Sequence, residues 1–113
     1  MYTIYHNPRC KKSREALQIL EDKGVDFNIV KYLDETPGKE EFKKTLSKLN
    51  MKPQELLRKN EAIFKEKYKG LDMNEDEWIQ VMLENPKLIE RPIVIKGNKA
   101  VVGRPPENVK ELL

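Results

Sequence analysis

One cysteine, Cys10, stands where a loop leads into a predicted helix, and it is the clearest nucleophile in the sequence. The first amides of a helix have no intrahelical partner, and with the helix dipole they favour an anion. Four basic residues lie within four positions of the sulfur, with no acidic residue before position 15: Arg9, Lys11, Lys12 and Arg14. We predict a reactive thiolate with a pKa well below the free value of about 8.5, although a lone cysteine is usually a small buried apolar residue.

Two polar residues near the cysteine are candidates to assist the thiol. His6 could lower the thiol pKa as an imidazolium or relay a proton, but a single histidine is as readily a surface or satisfied core residue. Ser13 could hydrogen-bond the sulfur or simply fill an early position of the helix. The sequence leaves both roles open.

Three arginines lie where predicted elements begin or end: Arg58, Arg91 and Arg104. A guanidinium suits a tetrahedral oxyanion because its fork donates two parallel hydrogen bonds. Taken singly, each arginine would be interpreted as an exposed surface residue. Pro92, which leads a predicted strand, is a candidate cis proline that would bring backbone close to the thiol.

The elements that must position these residues begin with a strand, a helix and a second strand. Residues 2–5 are β-branched and aromatic, residues 11–23 have apolar positions at helical spacing, and residues 25–32 alternate. Gly24 is placed to end the helix. This order predicts a right-handed βαβ unit.

A block of helices is predicted to follow, over about residues 36–85. Thr36 is predicted to cap a helix that has Pro37 at its first position, and Asn74 is predicted to cap a later helix that buries Ile79 and Leu83. Two further segments, 53–57 and 61–69, are predicted to be helical, the second mostly polar.

The end of the chain predicts a β-hairpin and a terminal helix. Residues 92–95 and 100–102 are apolar and joined through Gly97–Asn98, and Pro105–Pro106 then opens a helix that ends at Leu113. These are the elements of an α/β, thioredoxin-like fold with helices inserted in its middle, although element order alone leaves other α/β sandwiches open. We expect one domain over residues 1–113.

Composition limits the function classes. The chain has 113 residues, and a domain usually takes about 100 to 200. A net charge of +3 is too small to indicate nucleic-acid binding. No apolar run approaches the roughly 18 to 20 residues that span a bilayer, and residues 1–20 lack a signal-peptide core, so we expect a cytoplasmic protein without a membrane partner. One cysteine and one histidine exclude an internal disulfide and argue against a metal site.

Four segments stand together in the order of a known family: His6–Arg14, Leu56–Asn60, Arg91–Val94 and Gly103–Glu107. On these motifs the chain resembles the glutaredoxin-coupled arsenate reductases, the ArsC family, over essentially its whole length. The resemblance implies that Cys10 attacks arsenate and that His6 assists the thiolate, with Ser13 beside it. It also implies that the oxyanion is held by Arg58, Arg91 and Arg104.

The resemblance further implies the reductants. Because the chain has no second cysteine, glutathione and then a glutaredoxin would complete the reaction through a mixed disulfide at Cys10. We expect a monomer with no bound cofactor, with glutathione as co-substrate.

Two alternatives stay open beside the reductase. The related Spx-like regulators show a Cys-x-x-Cys pair in this loop, where this chain has Ser13. A glutathione-dependent thiol transferase would need a glutathione-binding groove, which the sequence does not reveal. Lys11–Lys12 also stand where the best-known reductases have Gly-Thr, which leaves the physiological oxyanion open.

Overall fold

A computed structural model describes all 113 residues, Met1–Leu113, which form two compact units. The first unit comprises Met1–Thr36 and Arg91–Leu113, and the second comprises Pro37–Glu90. The second unit nearly coincides with the predicted helical insertion, while the expectation of one domain stays a prediction. None of the helices combines the length and apolar character that crossing a bilayer requires.

The first unit is built on a four-stranded mixed sheet. The strands are β1 (Tyr2–Tyr5), β2 (Phe27–Val30), β3 (Ile93–Lys96) and β4 (Lys99–Val102), in the spatial order β2-β1-β3-β4. β1 and β2 are parallel, as a βαβ unit requires, and the other pairs are antiparallel. The predicted α/β, thioredoxin-like architecture is confirmed, and so is the hairpin turn, in which Gly97 has a φ of 58°.

One face of this sheet is covered by helix α1 (Lys11–Asp22) and by a C-terminal 3₁₀ helix, Pro106–Leu112. Their apolar residues and those of the strands form one buried core: Tyr2, Ile4, Ala16, Leu20, Val94, Val109 and Leu112. The Tyr2 hydroxyl donates a hydrogen bond to the Leu112 carbonyl at 2.8 Å, which ties the last turn of the chain to β1. This packing holds the first turn of α1 beside the end of β1.

The second unit is helical. It contains α2 (Lys39–Leu49), α3 (Glu75–Glu84), and two 3₁₀ turns at Pro53–Leu56 and Pro86–Leu88. The predicted Asn74 cap is confirmed: its side chain accepts a hydrogen bond from the Glu77 amide at 2.8 Å, and the Glu77 carboxylate accepts one from the Asn74 amide at 3.1 Å.

Several predicted details in this region are wrong. Helix α2 begins at Lys39 with Gly38 as its N-cap, because the Thr36 hydroxyl donates instead to the Tyr32 carbonyl at 3.1 Å. The buried face of α3 includes Ile79, but Leu83 is only partly buried.

Two predicted segments are also shorter than expected. The second strand covers only Phe27–Val30 of the predicted 25–32. Of the predicted helix over 61–69, a single π-helical turn, Phe64–Tyr68, carries most of the helical structure.

Candidate active site

Strand register brings three chain segments to one end of the sheet. Tyr5 pairs with Ile93, and Ile93 pairs with Val102, so the loop after β1, the start of β3 and the end of β4 are neighbours. The Gly103 amide donates to the Pro92 carbonyl at 2.8 Å and extends the β3–β4 pairing by one step. This arrangement carries His6, Cys10, Arg91, Pro92 and Arg104 to the same place.

Cys10 is the N-cap residue of α1. Its backbone is extended, its amide donates to the Asn7 carbonyl, and its own carbonyl accepts the first helical hydrogen bond from Arg14, both at 3.0 Å. The side chain is only 9% exposed. The N-cap position directs the sulfur at the free amides of the first turn.

The pKa of the Cys10 thiol is lowered from its ordinary value. Burial, the largest single influence, raises this pKa, but hydrogen bonds from the Ser13 amide and from the Arg91 and Arg104 side chains outweigh it, and the charge of Arg91 adds to them. The Arg104 Nη2 atom lies 3.7 Å from the sulfur. The predicted thiolate is therefore supported.

The source of this activation differs from the prediction. The neighbouring cations of the loop, Lys11 and Lys12 among them, are not among the groups that lower the thiol pKa. The side chains that lower it are those of Arg91 and Arg104, which lie far away in the sequence and are brought to the sulfur by the β3–β4 hairpin. The predicted contribution of helix amides does hold, through the Ser13 amide.

His6 and Ser13 form a buried pair beside the cysteine. The His6 Nδ1 atom lies 2.6 Å from the Ser13 Oγ atom, and the same Oγ accepts a hydrogen bond from the Asn7 amide at 3.0 Å. Burial, and secondarily the charges of Lys31 and Arg14, lower the His6 pKa below 6.5, so the ring is neutral at pH 7. The lowered pKa disfavours the imidazolium considered for His6, whose role toward the thiol stays a prediction. The Ser13 hydroxyl contacts both His6 and the Asn7 amide of the loop.

The side chain of Arg104 is held by a backbone carbonyl, whereas the Nε atom of Arg91 is not. The Arg104 Nε atom donates to the Arg91 carbonyl at 3.4 Å, and the Arg91 Nε atom is buried without a hydrogen-bond partner. Both the Arg91–Pro92 and the Arg104–Pro105 peptide bonds are cis, so the expectation of a cis bond at Pro92 is confirmed.

Asn108 is a site residue that sequence reasoning missed. Its side-chain amide donates to the carbonyls of Val102 at 3.1 Å and Arg104 at 3.4 Å, and so closes the turn that presents Arg104. The available signal was its position four residues after the arginine, near the start of the terminal helix.

Arg58 lies in the second unit, where carboxylates engage its guanidinium. The Arg58 Nη1 atom is 3.0 Å from Glu90 Oε1, and Nε is 3.5 Å from Glu61 Oε2. A short antiparallel bridge fixes the pair, because the Arg58 amide donates to the Leu88 carbonyl at 2.7 Å and the Glu90 amide to the Leu56 carbonyl at 2.8 Å. The predicted role of Arg58 in binding an oxyanion stays a prediction.

No group of three or more His, Cys, Asp or Glu side chains is placed to hold a metal ion. The site itself offers one sulfur with a lowered pKa, two guanidinium groups and the amides at the start of a helix. This combination suits a nucleophile that attacks an anion, because the same donors that stabilise the thiolate can neutralise the bound oxyanion.

Comparison with known proteins agrees with this arrangement. Residues 5–112 match the profile of the ArsC family. The chain is 44% identical to the Escherichia coli K12 protein YfgD, described as uncharacterized, with 97% of this chain and 94% of that protein covered. It is 41% identical to a protein of Neisseria meningitidis Z2491 named arsenate reductase, with 97% and 96% covered.

A solved structure gives the same result. The arsenate reductase from Vibrio cholerae superposes with a TM-score of 0.94 at 42% identity, covering 99% of this chain and 97% of that one. Family profile, close relatives and backbone agree over almost the full length of the sequence. The chain belongs to the ArsC family.

Proposed function

We propose that this protein reduces arsenate to arsenite, with Cys10 as its nucleophile. The observation that carries the proposal is the position of Cys10 at the N-cap of α1, with Arg104 Nη2 3.7 Å from the sulfur and a thiol pKa that Arg91, Arg104 and the Ser13 amide lower. An unpaired buried Nε on Arg91 leaves a further donor for an oxyanion. Relatives named arsenate reductase support the choice of substrate.

The first chemical step is nucleophilic attack. The Cys10 thiolate attacks the arsenic atom of arsenate, an S–As bond forms, and one As–O bond breaks. The departing oxygen leaves as water after taking up a proton, so arsenic remains pentavalent in the covalent product. Arg91 and Arg104 neutralise the charge that the oxyanion brings to the sulfur, because a guanidinium donates two parallel hydrogen bonds to such a group.

Reduction needs a second thiol from outside, because Cys10 is the only cysteine. We propose that glutathione supplies it: arsenic accepts two electrons, the S–As bond breaks, arsenite leaves, and a disulfide joins Cys10 to glutathione. A glutaredoxin thiolate then attacks the glutathione sulfur and releases the Cys10 thiolate. This scheme places the protein in the cytoplasm, where glutathione keeps thiols reduced.

The roles of the neighbouring residues follow from their contacts. Ser13 offers its amide to the sulfur, and the neutral His6 holds the Ser13 hydroxyl, so His6 is a positioning residue in this proposal. We also propose that a monomer is the active form.

A coupled assay tests the proposal. With glutathione, glutathione reductase and glutaredoxin present, NADPH consumption should depend on arsenate and should disappear in Cys10→Ser. Intact-protein mass spectrometry should show one glutathione on the wild-type chain after reaction with arsenate, and none on Cys10→Ser. The exposed Arg9 offers a control, since Arg9→Lys should retain full activity.

Three outcomes would contradict the scheme. Repeated turnover without an external thiol would refute the glutathione step. An adduct that forms equally well without arsenate would favour a thiol transferase acting on glutathionylated proteins. No arsenate-dependent activity at all, with a folded protein, would favour an Spx-like regulatory role.

A further inference from the structure

The second unit contains a cavity of about 540 Å³ that the proposed reductase chemistry does not use. Its apolar wall includes three aromatic side chains. The rings of Phe64 and Trp78 stack at a centroid distance of 6.2 Å, and Tyr68 meets Trp78 edge-on at 6.4 Å. The volume falls within the range of roughly 300 to 1,000 Å³ that is typical of small-molecule pockets.

The rim of this cavity is basic. Three exposed lysines line it, Lys59, Lys65 and Lys69, against one acidic residue, Asp72. The side chain of Leu71 at the same rim is 51% exposed, although large apolar side chains are usually covered. An apolar floor under a positive rim is complementary to a small amphipathic anion.

Besides the apolar wall and the basic rim, a buried polar atom at the wall sets a third requirement for a ligand. Gln54 lines the cavity, and its Oε1 atom is buried without a hydrogen-bond partner. A buried acceptor that lacks a donor is unfavourable. A ligand N–H group would pair with it once the Gln54 side chain turns this oxygen toward the cavity.

We propose that this cavity binds a small organic anion of nucleotide size whose flat ring carries an N–H donor. The ring would lie against Tyr68, Phe64 and Trp78 where they line the cavity, the N–H group would meet Gln54, and the anionic group would lie among the rim lysines. The site is independent of Cys10 chemistry and does not rest on the proposed reductase activity.

Trp78 makes the proposal directly measurable, because it is the only tryptophan in the chain. Adenosine monophosphate serves as the probe, since it combines a flat ring, an exocyclic amino group and a phosphate. Excitation of Trp78 during titration should give a saturable fluorescence change. Adenosine, which lacks the anion, and ribose 5-phosphate, which lacks the ring, should each bind at least about tenfold more weakly, a loss of about 1.4 kcal/mol.

Paired variants test the rim and the wall. Replacing Lys65 and Lys69 together by Gln should weaken adenosine monophosphate binding about tenfold and leave adenosine binding unchanged. The matched control replaces Lys67 and Lys87 together by Gln, because these two exposed lysines do not line this cavity. It should change the binding of neither adenosine monophosphate nor adenosine. Gln54→Leu should weaken binding of the nucleotide and of adenosine, but not of ribose 5-phosphate.

The proposal is overturned if adenosine monophosphate leaves Trp78 fluorescence unchanged up to millimolar concentration in the folded protein. It is also overturned if adenosine binds as tightly as the nucleotide, or if the control lysine pair weakens binding as much as Lys65 and Lys69 do. Circular dichroism of each variant confirms that the fold is retained. Arsenate-dependent activity is measured in parallel and should be unaffected by the Gln54 substitution, which separates this proposal from the reductase.

Discussion

The His6 ring lies 2.6 Å from the Ser13 hydroxyl, measured from Nδ1 to Oγ, and this contact rather than one to sulfur defines its place in the site. The Asn7 amide donates to the same hydroxyl, so one serine joins the loop, the histidine and the first turn of α1. Both side chains are buried. Burial lowers the pKa of the ring, and we expect its effect on Cys10 to pass through the contact with Ser13.

His6 makes stability depend on pH in a defined direction. Its pKa is lowered in the folded state, so the unfolded chain binds the proton more tightly. The contribution of His6 to the free energy of unfolding should be fully present above the unfolded pKa of about 6.5. It should be lost as pH falls below that value toward the folded pKa. Denaturant unfolding at pH 7.5 and pH 5.5 should show a larger loss of stability in the wild type than in His6→Gln. Because the chain has a single histidine, equal losses in the two proteins would contradict the prediction.

The second prediction concerns the thiol itself. The rate of Cys10 alkylation by iodoacetamide should rise with pH at a midpoint below about 8.5, the value of a free thiol. Arg104→Gln should raise this midpoint, because it removes the guanidinium whose Nη2 atom lies 3.7 Å from the sulfur. Arg9→Gln, at an exposed position of the loop, should leave it unchanged. A wild-type midpoint at or above the free value would contradict the activated thiolate.

The third prediction separates charge from geometry at the two arginines. Lysine keeps the charge but cannot donate two parallel hydrogen bonds, so Arg91→Lys and Arg104→Lys should each lower kcat/KM for arsenate by about tenfold or more. Arg9→Lys is the matched control and should change it by less than about twofold, because Arg9 is exposed to solvent and lysine keeps its charge. Near wild-type values in both site variants would show that positive charge alone is sufficient.

Much of the first unit was predictable because its signals are local. Apolar spacing placed α1, Gly97–Asn98 placed the hairpin, and the position of Cys10 before α1 predicted the anion-stabilising amides. The cap at Thr36 failed because a tertiary contact competed with it: its hydroxyl bonds the Tyr32 carbonyl, so Gly38 caps α2 instead.

The parts of the site that could not be predicted depend on contacts between distant segments. Arg91 and Arg104 stood out as arginines, but only the β3–β4 register shows that they, and not the neighbouring lysines, act on the sulfur. The orientation of His6 depends on burial, which a single histidine in a sequence does not reveal. The aromatic cavity was missed because Trp78 belongs to α3, a different helix from the mostly polar segment that contains Phe64 and Tyr68, and the sequence does not show how the two pack.

The last prediction concerns Gly103, which packs directly against Pro92. A Cβ atom at position 103 would lie 2.9 Å from Pro92 Cγ and 3.3 Å from both Ala16 Cβ and Val109 Cγ2. Overpacking of this kind costs about 1 to 3 kcal/mol, and here it would also displace the adjoining Arg104 from the sulfur. Gly103→Ala should therefore lower the free energy of unfolding by that amount and raise the pKa of the Cys10 thiol.

Gly38 provides the matched control for this substitution. A Cβ atom there meets nothing within 4 Å, and the residue has a φ of −71° that alanine adopts freely. Gly38→Ala should cost no more than about 1 kcal/mol, the usual value of an N-cap change, and should leave the thiol pKa unchanged. Chemical denaturation and the alkylation titration together distinguish the two variants. If Gly103→Ala is as stable as Gly38→Ala and its thiol titrates like the wild type, then close packing at Pro92 does not hold Arg104 in place.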